Sequence, residues 1–162
     1  MDASYVGVIG TAEPDEDALT AAEEVGRLLA ARSAVLVCGG LTGVMEAACR
    51  GAASGGGTTV GLLPSLDRGA ANPYVGVALT TGMGEMRNAL IARCCDALIA
   101  VGGGFGTLSE IGFALKIGKP VVGIHTWELA RAGEPIDAIH SASDPAAAVE
   151  LALQLGSVAP RR

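Results

Sequence analysis

Aromatic side chains are almost absent from this chain of 162 residues: two Phe, two Tyr and one Trp make up 3% of it. Half of the residues are nonetheless hydrophobic. Ala, Val, Leu and Gly must therefore fill the interior, which suits strands and helices packed at short distance. Lysine is scarcer still, with only Lys116 and Lys119. Lys and Arg together number 11 against 17 Asp and Glu, a net charge of −6, which excludes a nucleic-acid partner held by a general positive field. The one basic cluster, Arg161-Arg162, reads as a frayed end. No apolar run approaches the roughly 18 residues of a membrane span, and Met1-Asp2-Ala3-Ser4 opens no charged-then-apolar leader. The chain is expected to be cytoplasmic and to have no membrane partner. Cys38, Cys49, Cys94 and Cys95 form no CxxC pattern, and His125 and His140 lie far apart. No metal site is expected, and the cysteines read as buried, reduced thiols.

Glycine is what the chain has in excess, 24 residues, and its placement is informative. The stretch Ala97–Val101 is an apolar run that breaks into Gly102-Gly103-Gly104-Phe105-Gly106 and then opens into a helical pattern through Thr107, Leu108, Ile111 and Leu115. Strand, glycine loop and helix N-terminus in that order make an anion site. Glycines let the backbone approach a phosphate, and unpaired helix amides point at it.

Strand and helix patterns alternate along the whole chain. Strands are expected at Tyr5–Gly10, Ala34–Cys38, Thr58–Leu63, Val75–Leu79, Asp96–Val101 and Pro120–Ile124, with an edge strand at Ile136–His140. Helices are expected at 15–32, Gly43–Ala53, Glu85–Cys95, Thr107–Ile117 and Asp144–Leu155, the last with Asp144 as N-cap and Pro145 at N1. This alternation predicts a single α/β domain: a doubly wound, mostly parallel, Rossmann-like sheet with helices on both faces. Ligands of such folds sit outside the strand carboxyl ends. Three glycine-rich segments meet there: Gly10-Thr11, then Gly39-Gly40-Leu41-Thr42-Gly43, then Gly103, Gly104, Phe105, Gly106 and Thr107. Neither G-x-G-x-x-G nor G-x-x-x-x-G-K-[ST] occurs, which disfavours an ordinary NAD enzyme or a P-loop NTPase.

Gly102–Glu110 resembles the signature P-G-G-x-G-T-x-x-E of the LONELY GUY superfamily, also known under a lysine decarboxylase label, with Gly102 in place of the proline. Cys38–Met45 resembles its G-G-G-x-x-G-x-M signature, with Cys38 for the first glycine, and Arg87-Asn88 matches its Arg-Lys pair. The resemblance covers roughly residues 5–124. It implies a Rossmann-like homodimer or dimer-based tetramer that binds a phosphorylated small molecule. In the cytokinin-activating members, which cleave nucleoside 5′-monophosphates into base and ribose 5-phosphate, the matching arginine and glutamate are catalytic, which assigns that role to Arg87 and Glu110. Asn88 replaces the lysine, however, and Ser109 replaces a glutamate. The Gly102–Gly104 run and Thr81–Asn88 look more like the branch that includes the molybdenum cofactor carriers, which bind a phosphate-bearing pterin without transforming it.

The residues support the same chemistry on their own. A carboxylate at Glu110, on the first turn of the predicted helix, would lie beside a sugar attached to the bound phosphate and could stabilise an oxocarbenium-like centre. Arg87 offers a planar fork to phosphate or ribose oxygens. The bland alternatives are a dipole-complementing acid for Glu110 and a surface ion pair with Glu85 or Asp96 for Arg87. Met45, Met83, Met86 and Trp127 read as packing residues, and His125 as a satisfied or exposed histidine near the crevice mouth. Two readings stay open: binding of a phosphorylated nucleotide or pterin, molybdenum cofactor among them, and hydrolysis of a nucleoside monophosphate. Lysine decarboxylation is excluded, because Lys116 and Lys119 sit at the far end of their helix.

Overall fold

The computed structural model describes residues 3–159, so Met1, Asp2 and the Arg161-Arg162 pair lie outside the described residues. The chain runs β1 (Tyr5–Gly10), α1 (Glu16–Ala31), β2 (Val35–Cys38), α2 (Val44–Ser54), β3 (Thr59–Leu63), β4 (Val77–Thr80), α3 (Asn88–Cys94), β5 (Ala97–Val101), α4 (Phe105–Lys116), β6 (Val121–Ile124), β7 (Leu129–Arg131), β8 (Glu134–Ile136), β9 (His140–Ser141) and α5 (Pro145–Val158). Seven strands pair in the order β4-β3-β2-β1-β5-β6-β9, and every pairing among them is parallel. The order reverses between β1 and β5. That switch point opens a crevice at the carboxyl ends of the two strands.

Each central strand feeds both faces, because successive side chains alternate across the sheet. Val6, Val8, Leu36, Cys38, Ala97, Ile99 and Val101 join one core with residues of α1, α2 and α5. Ile9, Val37, Leu98 and Ala100 join the other with Ile91 and Ala92 of α3 and Ile111 and Ala114 of α4. The near-continuous apolar strands are thus buried from both sides, as a covered parallel sheet requires.

Scarcity of large side chains is resolved where α1 meets α2. A Cβ at Gly26 would lie 1.9 Å from the Ala48 carbonyl oxygen, and one at Gly51 would lie 1.8 Å from the Glu23 carbonyl oxygen. The two backbones touch at reciprocal glycines, so no larger residue fits at either place.

Three expectations are corrected. The predicted helix Glu85–Cys95 is a 3₁₀ turn over Gly84–Arg87 followed by α3, with Gly82 and Gly84 at positive φ before it. The expected edge strand Ile136–His140 does not form. Instead β7 and β8 make an antiparallel hairpin through Ala132 and Gly133, both at positive φ, and the edge is the short β9. Pro135 lacks an N–H, which suits an exposed two-stranded ribbon rather than the main sheet. Finally, Cys94 is exposed, whereas Cys38, Cys49 and Cys95 are buried.

Gly26→Ala or Gly51→Ala is expected to cost about 3 kcal/mol in chemical denaturation, because backbone rather than a flexible side chain must move. Gly112→Ala, on an exposed helical position with nothing within 4 Å of the added methyl, should instead gain about 0.5–1 kcal/mol. Equal effects at the three sites would contradict the close helix contact.

Candidate functional site

Helix capping differs among the four longer helices. Asp15 caps α1 by accepting from the Ala18 amide, and Asp144 caps α5 by accepting from the Ala147 amide, with Pro145 in the first turn. Helices α2 and α4 start instead from Gly43 and Gly104, which supply no side-chain cap. The first intrahelical bond at the head of α4 runs from the Leu108 amide to the Gly104 carbonyl at 3.0 Å. The amides of Phe105, Gly106 and Thr107 are therefore left for another acceptor.

Those amides border a cavity of ≈ 420 Å³ at the β1/β5 switch point. Its walls include Gly10 and Thr11 after β1, Leu41 and Met45 around the start of α2, Glu85, Arg87 and Asn88, and Gly104, Phe105, Gly106, Thr107 and Glu110. Eight residues expected at the site thus share one cavity: Gly10, Thr11, Arg87, Gly104, Phe105, Gly106, Thr107 and Glu110. The other five surround it. Gly39 lies beneath Arg87, where a Cβ would come within 2.6 Å of a guanidinium nitrogen. Gly40 and Gly43 turn the chain at positive φ, and Gly103 does the same against the Thr107 side chain. Thr42 is exposed beside them. The sequence did not single out Ile9, Ala12, Leu41, Met45 and Glu85 as lining residues; the four apolar ones read as packing residues, and Glu85 only as a candidate ion-pair partner of Arg87.

Two side chains lining the cavity are short of partners. Arg87 and Thr107 are buried, and the Arg87 Nε and Thr107 Oγ1 atoms have no hydrogen-bond partner among the described residues. Leaving a buried polar atom unpaired costs about 1–3 kcal/mol, so such atoms usually mark a missing ligand or water. Among the described residues Arg87 forms no ion pair, so the bland alternative of a surface pair with Glu85 or Asp96 is not what the structure shows. Arg87 donates to the Asn88 side-chain oxygen and, at 3.4 Å, to the Gly39 carbonyl, while Asp96 accepts from the Tyr5 amide at 2.9 Å. Burial pulls the guanidinium below the usual arginine range, opposed by the charge of Glu110.

Helix α4 begins two residues earlier than the pattern suggested, so Glu110 stands on its second turn rather than its first. It is buried in the cavity wall, not exposed to complement the helix dipole. Burial pushes its carboxyl up to about 8, against the opposing pull of Arg87. At neutral pH Glu110 is therefore mainly a neutral acid that can donate a hydrogen bond.

Two of the chain's five aromatic side chains also meet here. Phe105, the first residue of α4, is 83% exposed, and its ring centroid lies 5.7 Å from that of Trp127. The Trp127 indole N–H donates to the Gly104 carbonyl at 3.2 Å, tying the segment after β6 to the glycine loop. His125 is exposed at positive φ and lines neighbouring hollows of ≈ 520 and ≈ 200 Å³. Below the crevice floor the Cys38 and Cys49 thiols lie 3.5 Å apart, and the Cys49 contact together with burial pushes the Cys38 thiol up.

Fold and crevice define a Rossmann-like domain with its site at the strand carboxyl ends. The chain belongs to the SLOG cluster4 family, whose profile matches residues 3–151. It is similar to the molybdenum cofactor binding protein of Rippkaea orientalis, with a TM-score of 0.88 and 34% identity over 96% of this chain and 98% of that one. The Moco carrier protein of Chlamydomonas reinhardtii superimposes with a TM-score of 0.84 and 34% identity over 96% and 99% of the two chains. Among curated sequences, an uncharacterized protein of Archaeoglobus fulgidus is 46% identical over 76% of this chain and 82% of its own. A probable cytokinin riboside 5′-monophosphate phosphoribohydrolase of Oryza sativa subsp. japonica is 36% identical over 56% of this chain, a match that spans 41% of the longer rice protein.

The raised carboxyl of Glu110 stabilises the folded state most at low pH. The unfolded chain ionises it near 4.5 and the folded chain near 8, so stability falls as pH rises between those values and then levels off, by on the order of a few kcal/mol. Glu110→Gln, which mimics the neutral acid, is expected to melt close to wild type at pH 4.5 and clearly above it at pH 8.5. Parallel melting curves across that range would contradict a buried neutral Glu110.

Proposed function

We propose that the crevice binds a phosphorylated small molecule with a planar heterocycle, a pterin phosphate such as the molybdenum cofactor or a nucleoside 5′-monophosphate, and holds it without turnover. The observation that carries this reading is the pair of unpartnered buried atoms, Arg87 Nε and Thr107 Oγ1, in one cavity with the open amides of α4. A phosphate oxygen set against those amides would accept from both, and its charge would meet the helix dipole and the guanidinium. The pterin or base would extend toward Phe105, whose exposed ring gives it a stacking surface. The Rippkaea and Chlamydomonas proteins, named for the molybdenum cofactor, match nearly the whole chain, which favours the pterin as cargo.

A second reading, hydrolysis of the N-glycosidic bond of a nucleoside monophosphate, is favoured by the presence of Arg87 and Glu110 in the same cavity and by the rice relative. Stabilising an oxocarbenium-like centre calls for an ionised carboxylate. Glu110 ionises only as pH rises through about 8, so a rate that depends on it would climb across that range.

The chain is also proposed to pair with a second copy near the crevice. Leu66, Leu79, Met83 and Met86 are 81%, 46%, 41% and 72% exposed on the segments leading to Arg87, which is more apolar surface than a lone domain needs there. Light scattering at micromolar concentration is expected to give at least twice the chain mass of 16.1 kDa, and a monomer would count against it.

Binding is best read through Trp127, the sole tryptophan. Adenosine 5′-monophosphate or a pterin phosphate is expected to change its fluorescence, with affinity falling roughly tenfold in Thr107→Val and further in Arg87→Ala. Incubation with adenosine and isopentenyladenosine monophosphates should release no ribose 5-phosphate. Release that disappears in Glu110→Gln and Arg87→Ala would establish the hydrolase instead.

A further inference from the structure

Arg87 is a buried cation whose bonded partners are both neutral. One terminal nitrogen donates to the Asn88 side-chain oxygen and the other to the Gly39 carbonyl. The chain of bonds continues. The Asn88 amide nitrogen donates to Ser109 Oγ at 3.0 Å, and Ser109 Oγ donates to the Gly106 carbonyl at 2.6 Å. A continuous path therefore joins the guanidinium, across the start of α3, to the same turn of α4 that offers its amides to the cavity.

Resting on the anion-site reading above, we propose that Asn88, pinned by Ser109, is a positioning residue that aims the Arg87 fork at the bound phosphate without neutralising it. An asparagine amide can face either way. With its nitrogen engaged by Ser109, its oxygen must face Arg87. That oxygen supplies a dipole and not a charge, so the fork is oriented while its positive charge stays available to an incoming anion. An aspartate of the same shape would form an ion pair with the guanidinium in a poorly hydrated pocket, and the ligand would have to compete with it. A shorter side chain would leave the long arginine stem to wander among rotamers. Ser109 matters through its hydroxyl, which among the described residues bonds Asn88 and the Gly106 carbonyl.

The test measures melting temperature together with affinity for inorganic phosphate and for adenosine 5′-monophosphate, by calorimetry, in Asn88→Asp, Asn88→Ala, Ser109→Ala and Ser109→Thr. The isosteric Asn88→Asp should melt higher than wild type yet bind both probes about tenfold or more weakly, opposite signs that a purely structural residue would not give. Asn88→Ala should weaken binding in the wild-type background but add nothing in Arg87→Ala, because its effect passes through the arginine. Ser109→Ala should weaken binding several-fold, with Ser109→Thr restoring it. Equal losses from Asn88→Ala in both backgrounds, or an Asn88→Asp variant that binds as tightly as wild type, would overturn the positioning role while leaving the anion site intact. Wild-type protein that binds neither probe would overturn the anion site itself, and this role with it.

Discussion

The contact between α1 and α2 is the constraint from which the site follows. Because Gly26 and Gly51 let the two backbones touch, both helices lie side by side on one face of the sheet. The turns that precede them, after β1 and after β2, are then brought together at the carboxyl edge. The Val44 amide donates to the Thr11 carbonyl at 3.1 Å, stitching one turn to the other. The crevice floor is thus built by small residues far from it. An interior of Ala, Val and Gly is what allows helices to sit this close, and the scarcity of aromatics follows from the same geometry.

Within the crevice the two buried ionisable side chains are held in different ways. Arg87 is desolvated and held by a carbonyl and an amide oxygen, while Glu110, its ionisable neighbour in the cavity, is held as the neutral acid by burial. A protein with net charge −6 therefore sets a buried guanidinium in the wall of a crevice that Glu85 also lines. Two of the departures from the family signatures, Asn88 and Ser109, are bonded to each other at 3.0 Å. They form one unit in space, although 21 positions separate them in the chain.

Much of this was legible in the sequence because its causes are local. Apolar runs ending in glycine mark strand ends, and the parallel order follows from their alternation with amphipathic helices, so the positions of Gly10, Gly104 and Thr107 at one edge could be anticipated. What escaped depends on tertiary detail. Positive φ at Gly82 and Gly84 winds the chain into a tight 3₁₀ turn before α3, and nothing in the apolar spacing of 85–95 signals it. The hairpin of β7 and β8 hides because Leu129–Arg131 and Glu134–Ile136 are too short and too exposed to show alternation. Likewise, glycines at Gly102–Gly106 suggested a longer loop, yet Phe105 and Gly106 are already helical. That shift of two residues moves Glu110 from the helix rim to a buried wall. Gly40, Gly43 and Gly103 carry the same sequence signal as Gly104, but they serve the turn geometry around the cavity instead of lining it.

The placement of Phe105, Thr107, Ser109 and Glu110 on a single helix makes the site mechanically one piece. Each group comes from α4, whose opposite side is locked into the core by Ile111 and Ala114, both 0% exposed. The backbone positions that carry the amides, the hydroxyl, the acid and the aromatic ring consequently move as one when the helix moves. They tilt or slide together, as notches cut on one key. Repacking beneath Ile111 would displace the whole set relative to Arg87, which stands on a different element. The interior of this domain in that sense sets the distance between α4 and the arginine across the crevice.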